Sequence, residues 1–199
     1  RIFVDEQFQD LFKIKPNRKN VAVGDILIAE PFLEGRYFSR AVVYIVEHDE
    51  KGSIGFVLNK PISYTTSDLV TELKGMDFPV YLGGPVEQNQ LYYLHTHSEL
   101  PDALHIDDGI YWGGDFVHLT RLIREGKVLP EEIRFFAGYS GWEAGQLQKE
   151  LEENSWMVGN MERTRLLQLP WSELWEKSMS DLGGRYKIWA NFPEDPIMN

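Results

Sequence analysis

The residues of this chain whose type and spacing could do chemistry fall in a few places. Gly138-Tyr139-Ser140-Gly141-Trp142 lies between an apolar run and an amphipathic one, a setting in which a strand-to-helix turn can expose a serine nucleophile. The elbow pattern needs glycine two residues to either side of the serine, whereas Trp142 holds the second place and Gly141 comes one step early. A tight turn accounts for these glycines, and no catalytic residue is assigned. His95 and His97 stand two apart in a strand-like run, which would turn both imidazoles to one face, and Asp102, His105, Asp107 and Asp108 follow. Two ligands do not make a site, so no metal and no cofactor is assigned. His48 beside Asp49 could serve as a general base or simply hydrogen-bond a turn, and Asn59 could contact a ligand or tie down a loop. The turn and the loop tie are the preferred readings.

Whole classes of chemistry are closed by composition. The 199 residues include no cysteine, which excludes disulfides, thiolate catalysis, iron–sulfur clusters and cysteine-containing zinc sites. No Gly-x-Gly-x-x-Gly turn or Gly-Lys-Ser/Thr loop is present to argue for dinucleotide or triphosphate binding. A formal net charge of −11 repels phosphate backbones and anionic lipids, so direct nucleic-acid binding is disfavoured and a protein partner met through an acidic surface is expected. The amino-terminal residues mix acids with scattered aromatics, so neither a signal peptide nor a membrane span is expected and the reading is cytoplasmic. The chain begins with Arg1 rather than Met, which leaves a preceding segment open.

The elements that must position these residues can be read from periodicity. Val4–Phe12 has the pattern of a short amphipathic helix, and Lys15–Asn20 is a polar break, so residues 1–20 are expected to form an extension and 21–199 a single domain. Ile26–Ala29 and Ala41–Val46 read as buried strands, the second pairing through a glycine-containing turn with Ser53–Asn59. Thr66 or Ser67 should cap a helix through Leu73. Pro79–Leu82, Gln90–Thr96, Leu104–Trp112 and Ile133–Ala137 read as further strands, and Asp115 as the cap of a helix that stops at Gly126. Helices are expected over Glu143–Asn154 and along Trp171, Leu174, Trp175 and Met179, the latter as a core-facing stripe. Because strands and helices do not alternate regularly, the class is α+β.

An ordered set of motifs carries a family resemblance. Gly24–Pro31, Phe38-Ser39-Arg40, Glu47-His48-Asp49 with Gly52, and Gly55–Pro61 form a first half; Gly83–Val86, Leu94-His95, Gly109-Ile110, Gly138–Trp142 and Gly145-Gln146-Leu147 form a second. Together these resemble the YqgE/AlgH family of bacterial proteins over nearly everything after Asn20. The resemblance implies a small closed, barrel-like and mostly antiparallel sheet surrounded by helices, and a transcriptional-regulator label. The helices here are acidic or mixed, with Glu143, Glu150, Glu152 and Glu153 close together, which favours an indirect role through a protein partner.

The family motifs also suggest where a ligand would sit. The Gly83-Gly84-Pro85 bend, His95 and the Gly138, Ser140, Gly141, Trp142 and Gln146 turn are expected to converge on one pocket, with backbone N–H groups at the start of the Glu143 helix able to hold an anion. Two functions follow: a non-catalytic regulatory or interaction module, preferred, and an enzyme or small-molecule sensor using that pocket, its ligand unidentified.

Overall fold

The computed structural model describes residues 20–194; the helix expected over Val4–Phe12 lies outside them. Strand β1 (Ile26–Ala29) is buried at all four positions, and β2 (Val42–Asp49) at its first five. Continuous β-branched and apolar sequence gives both faces of these strands something to bury. A two-residue connection, Glu50-Lys51, returns β2 into β3 (Gly52–Val57), with Asp49 opposite Gly52 and His48 opposite Ser53. This is the expected hairpin, with a register shift between Ile45 and Glu47.

Strand β4 (Pro61–Thr65) was not foreseen. It is mostly exposed and pairs only with β5 (Pro79–Leu82), the kind of edge position that tolerates a leading proline. The helix after it is shorter than expected: α1 spans Thr66–Leu69, Val70 turns extended, and a 3₁₀ turn covers Thr71–Leu73. Neither Thr66 nor Ser67 is its cap. The Thr66 hydroxyl donates to the Met76 carbonyl and accepts from the Phe78 N–H, and Asp68 accepts from the Thr65 N–H one residue earlier than the predicted start.

Strands β6 (Val86–His95), β7 (Leu104–Asp107) and β8 (Ile110–Trp112) follow, then α2 (Phe116–Arg124), capped by the Asp115 carboxylate at 2.8 Å from the His118 nitrogen. β9 (Ile133–Glu143) is the longest strand; α3 (Gln146–Glu152), β10 (Trp156–Gly159), α4 (Arg163–Gln168), α5 (Trp171–Asp181) and α6 (Arg185–Trp189) complete the described chain. The ten strands lie in the order β10-β1-β2-β3-β9-β6-β8-β7, with β5 and β4 branching from β9. All pairings are antiparallel except β5 on β9. The α+β class and the mostly antiparallel sheet are as expected. Closure is not: the terminal strands β10 and β7 do not pair with one another, so the sheet is open.

Alternation along the strands feeds two faces. Ile26, Ile28, Tyr44 and Phe56 pack with Leu174, Trp175 and Met179 of α5. Leu27, Val43, Ile45 and Val57 pack on the other face with Leu147 and Leu151 of α3. A third cluster joins Phe78, Tyr93 and Phe135 to Leu119 and Ile123 of α2. Each such side chain removed from water contributes roughly 1.5–3 kcal/mol before entropy is counted. Trp171, expected in the core stripe, is instead 46% exposed, because it sits in the first turn of α5 beyond the edge of the cluster.

Candidate functional site

The expected serine turn does not exist, and its glycines serve a chain crossing. β5 runs parallel to one edge of β9, Val80 opposite Phe135 and Leu82 opposite Ala137, while β6 lies antiparallel along the other edge, Tyr93 opposite Phe135 and Leu91 opposite Ala137. Gly83-Gly84-Pro85 must therefore carry the chain across β9 in three residues. A side chain on Gly84 would collide with the Tyr139 carbonyl and the Ser140 nitrogen. Gly138, at φ +73°, holds the irregularity in β9 where the Val86-to-Leu91 register shifts, with the Gly84 and Val86 carbonyls each 2.8 Å from where a Cβ would stand. A positive-φ glycine within a strand marks a bulge, and β9 continues through Gly138 to Glu143 rather than ending at Ala137 as the sequence suggests. Ser140 is fully buried within β9, and its hydroxyl donates to the Gly83 carbonyl at 3.0 Å.

Beyond the crossing, β9 continues against β3, with Ser53 opposite Trp142 and Ile54 opposite Gly141. An open groove of about 640 Å³ lies here. Ile54, Val86 and Tyr139 supply its apolar surface, and Glu47, Asp49 and Glu143 stand around it with Lys51 as the accompanying cation. Glu47 reaches this side of the hairpin because the β2 bulge sets it opposite Ile54. Among the residues singled out from the sequence, Gly141, Trp142 and Gln146 line the groove. His48 is next to it, its Nδ1 2.6 Å from the Oγ of Ser53, which also lines the groove.

Two of those residues are committed to structure. Trp142 is only 5% exposed, and its indole N–H donates to Glu150 Oε1 at 3.3 Å, the same oxygen that accepts from the Trp156 indole at 3.1 Å. The Gln146 amide oxygen accepts from the Glu143 N–H at 3.0 Å. α3 begins at Gln146 rather than Glu143, so the Glu143 N–H belongs to the end of β9 and not to a helix start as expected.

His95 and Asn59 are brought elsewhere. His95 pairs with Ile133 at the opposite end of β9, seven residues from Ser140, or about 23 Å at the rise of an extended strand. The pocket expected from Gly83–Pro85, His95 and Gly138–Gln146 is therefore not assembled. His95 is fully buried; its Nε2 donates to the Gly113 carbonyl at 2.7 Å, and its Nδ1 accepts from the His97 N–H at 3.1 Å. Only the neutral ring satisfies both partners. Burial pushes its pKa below the ordinary 6.5, outweighing the opposing pull of the Gly113 carbonyl. His97 faces Glu99 at 2.9 Å and Glu132 at 3.5 Å, while His105 packs edge-on against Tyr111. Among the described residues no group of three His, Asp or Glu side chains could hold a metal ion. Asn59 ties a loop: its side chain accepts from the Val42 N–H and donates to the Arg40 carbonyl.

Sequence reasoning missed the groove's apolar residues and Glu143's place beside the hairpin. The Glu47-His48-Asp49 motif was visible, but its meeting with Glu143 depends on the length of β9, which the glycines concealed.

The AlgH-like family profile matches residues 26–187, and the chain belongs to that family. It is 41% identical over 191 residues to a UPF0301 protein of Bacteroides fragilis, covering 96% of this chain and 97% of the relative. Against a UPF0301 protein of Parabacteroides distasonis the identity is 42% over 195 residues, covering 96% and 98%. The solution structure of the AlgH protein from Pseudomonas aeruginosa, also UPF0301, superposes with a TM-score of 0.68 at 28% identity, over 85% of this chain and 93% of that one. A crystal structure of protein DIP2367 from Corynebacterium diphtheriae has the same fold, with a TM-score of 0.73 at 24% identity, covering 96% of this chain and all of that one. Among the described residues no helix is long and apolar enough to cross a membrane.

Proposed function

We propose that this chain is a non-catalytic regulatory or interaction module of the bacterial cytoplasm that docks a basic, amphipathic segment of a protein partner in the groove between the β2–β3 hairpin and the end of β9. The observation that carries this reading is the groove's pattern: apolar Ile54, Val86 and Tyr139 in its wall, and the carboxylates of Glu47, Asp49 and Glu143 around it. Apolar residues of a partner segment would remove these side chains from water, while its Lys or Arg residues would meet the carboxylates. The net charge of −11 steers a cationic partner toward the molecule and opposes duplex DNA, so any regulatory role runs through a protein.

The test uses a synthetic peptide of alternating Leu and Lys, labelled for fluorescence anisotropy, against a matched peptide with Glu for Lys. The Lys peptide is expected to bind with an affinity that falls as salt rises, and the Glu peptide not to bind. Reversing Glu47 and Glu143 to Lys together should weaken the Lys peptide by at least about tenfold. Equal binding of both peptides, or indifference to the reversal, would sink the proposal. A second reading, an enzyme or small-molecule sensor at the same groove, draws support from its volume, which falls within the roughly 300–1,000 Å³ usual for ligand sites. A metabolite that raises the melting temperature of the wild type but not of Tyr139→Ala would favour that second reading. Tyr139 is the informative position because Trp142 and His95 are core residues.

A further inference from the structure

A second cavity, of about 270 Å³, lies on the other side of the β2–β3 unit from the hairpin end, between Arg40 and Lys60 and the helix α5. Its construction starts with backbone strain. Arg40 has φ +51°, in the left-handed region where a non-glycine residue costs roughly 1–3 kcal/mol unless its surroundings hold it there. The holding group is Asn59, whose side chain donates to the Arg40 carbonyl at 2.8 Å and accepts from the Val42 N–H at 3.0 Å. This conformation lays the Arg40 guanidinium over the Trp175 ring at 4.3 Å. One terminal nitrogen donates to the Phe192 carbonyl at 2.5 Å, while Nε is buried with no hydrogen-bond partner. Lys60 donates one N–H to the Ser39 carbonyl, and an ammonium has two more to give.

Two carboxylates, Glu176 of α5 and Glu194, line the same cavity. Among the described residues, neither Arg40 nor Lys60 comes within ion-pair distance of either. Burial draws both cations below their ordinary pKa values, and Glu194 opposes that shift at both, with Glu176 joining it at Arg40. A small cavity thus holds two charges of each sign, near enough to feel one another and too far apart to pair directly. A plain anion would find the two cations but would also meet the two carboxylates.

We propose that this cavity binds a small zwitterion of the amino-acid class, its carboxylate taken by Arg40 and Lys60 and its ammonium turned toward Glu176 and Glu194. Trp171, half exposed at the rim, gives the ligand's side chain an aromatic surface. The strained Arg40 backbone and its stacking on Trp175 fix the guanidinium before the ligand arrives, which removes part of the ordering cost of binding. None of these residues lines the docking groove, so the two sites are independent.

The experiment is isothermal titration and thermal unfolding of the full chain with the free L-amino acids. Propionate, ethylamine and inorganic phosphate serve as probes carrying only one of the two charges, or an anion of different shape. Saturable binding of at least one amino acid is expected, with propionate, ethylamine and phosphate all much weaker. Lys60→Met and Glu176→Gln change charge with little change of shape, and each should weaken that amino acid by roughly thirtyfold or more while the ligand-free melting temperature shows the fold intact. The proposal is overturned if no amino acid binds, if propionate or phosphate binds as tightly, or if Glu176→Gln leaves the affinity unchanged. That last result would reduce the cavity to a simple anion site.

Discussion

His95 has the chemistry of a catalytic histidine and the surroundings of a structural one. Both ring nitrogens are occupied by backbone groups, the Gly113 carbonyl and the His97 N–H, and the ring is inaccessible to solvent. Protonating it in the folded state would add a charge in an apolar setting and turn an acceptor into a donor facing another donor. The folded protein therefore resists protonation at this position, whereas the unfolded chain takes up the proton near the ordinary value of 6.5. Below that pH the unfolded state binds more protons, so stability contributed by His95 is complete above about 6.5 and is lost progressively until the folded ring itself titrates. Glu99, held low first by its own backbone N–H and then by His97, loses its contribution only below the ordinary carboxylate value of 4.5, outside this window. Urea unfolding of the wild type is expected to show stability falling between pH 7 and pH 5. In His95→Gln that slope should be shallower, and stability at pH 8 should be lower by about 1–3 kcal/mol, since two buried backbone groups lose their partner. Identical slopes in the two proteins would show that another group governs this range.

Among the elements, β9 organises the site, and it is also where sequence reasoning stopped short. Periodicity identified its first five residues because Ile133, Phe135 and Phe136 are β-branched or aromatic, as it identified the β2–β3 hairpin and the Asp115 cap, where local chemistry decides the outcome. The remaining six residues carry two glycines and a serine, which signal a turn locally and become a strand only because β3, β5 and β6 all bond to them or beside them. Tertiary pairing also separated His95 from Ser140, a distance that a list of motifs along the chain cannot contain. The groove's carboxylates come from β2 and the end of β9, so their meeting depends on that same pairing. If the crossing explains the glycines, then Gly84→Ala must push the chain off β9: the added methyl meets Tyr139 backbone at a φ of +156°. A loss of about 3 kcal/mol or more in urea unfolding is expected. Gly75→Ala, at positive φ but with nothing within 4 Å, is the control and should cost about 1 kcal/mol. Equal losses would mean that backbone conformation, rather than the close crossing, selects glycine at position 84.

At the scale of the whole molecule, the sheet is open and serves three clusters, which raises the question of whether they unfold together. β9 contributes Phe136 to the cluster under α5, Trp142 to the one under α3, and Phe135 to the one against α2. Adjacent residues of one strand thus bury into opposite faces, and no surface divides the clusters without cutting β9. A single cooperative transition follows from this arrangement. The third cluster contains no tryptophan; Trp142 and Trp156 lie in the second, and Trp175 and Trp189 in the first. Tryptophan fluorescence therefore reports on the two clusters that a change at Phe135 does not touch directly. Phe135→Ala should cost about 3–5 kcal/mol, and it should move the fluorescence and far-ultraviolet circular dichroism transitions to the same lower denaturant concentration. If the fluorescence midpoint stayed in place while the dichroism moved, the α2 side would be a separately melting unit, and the chemistry of the groove would rest on only part of the fold.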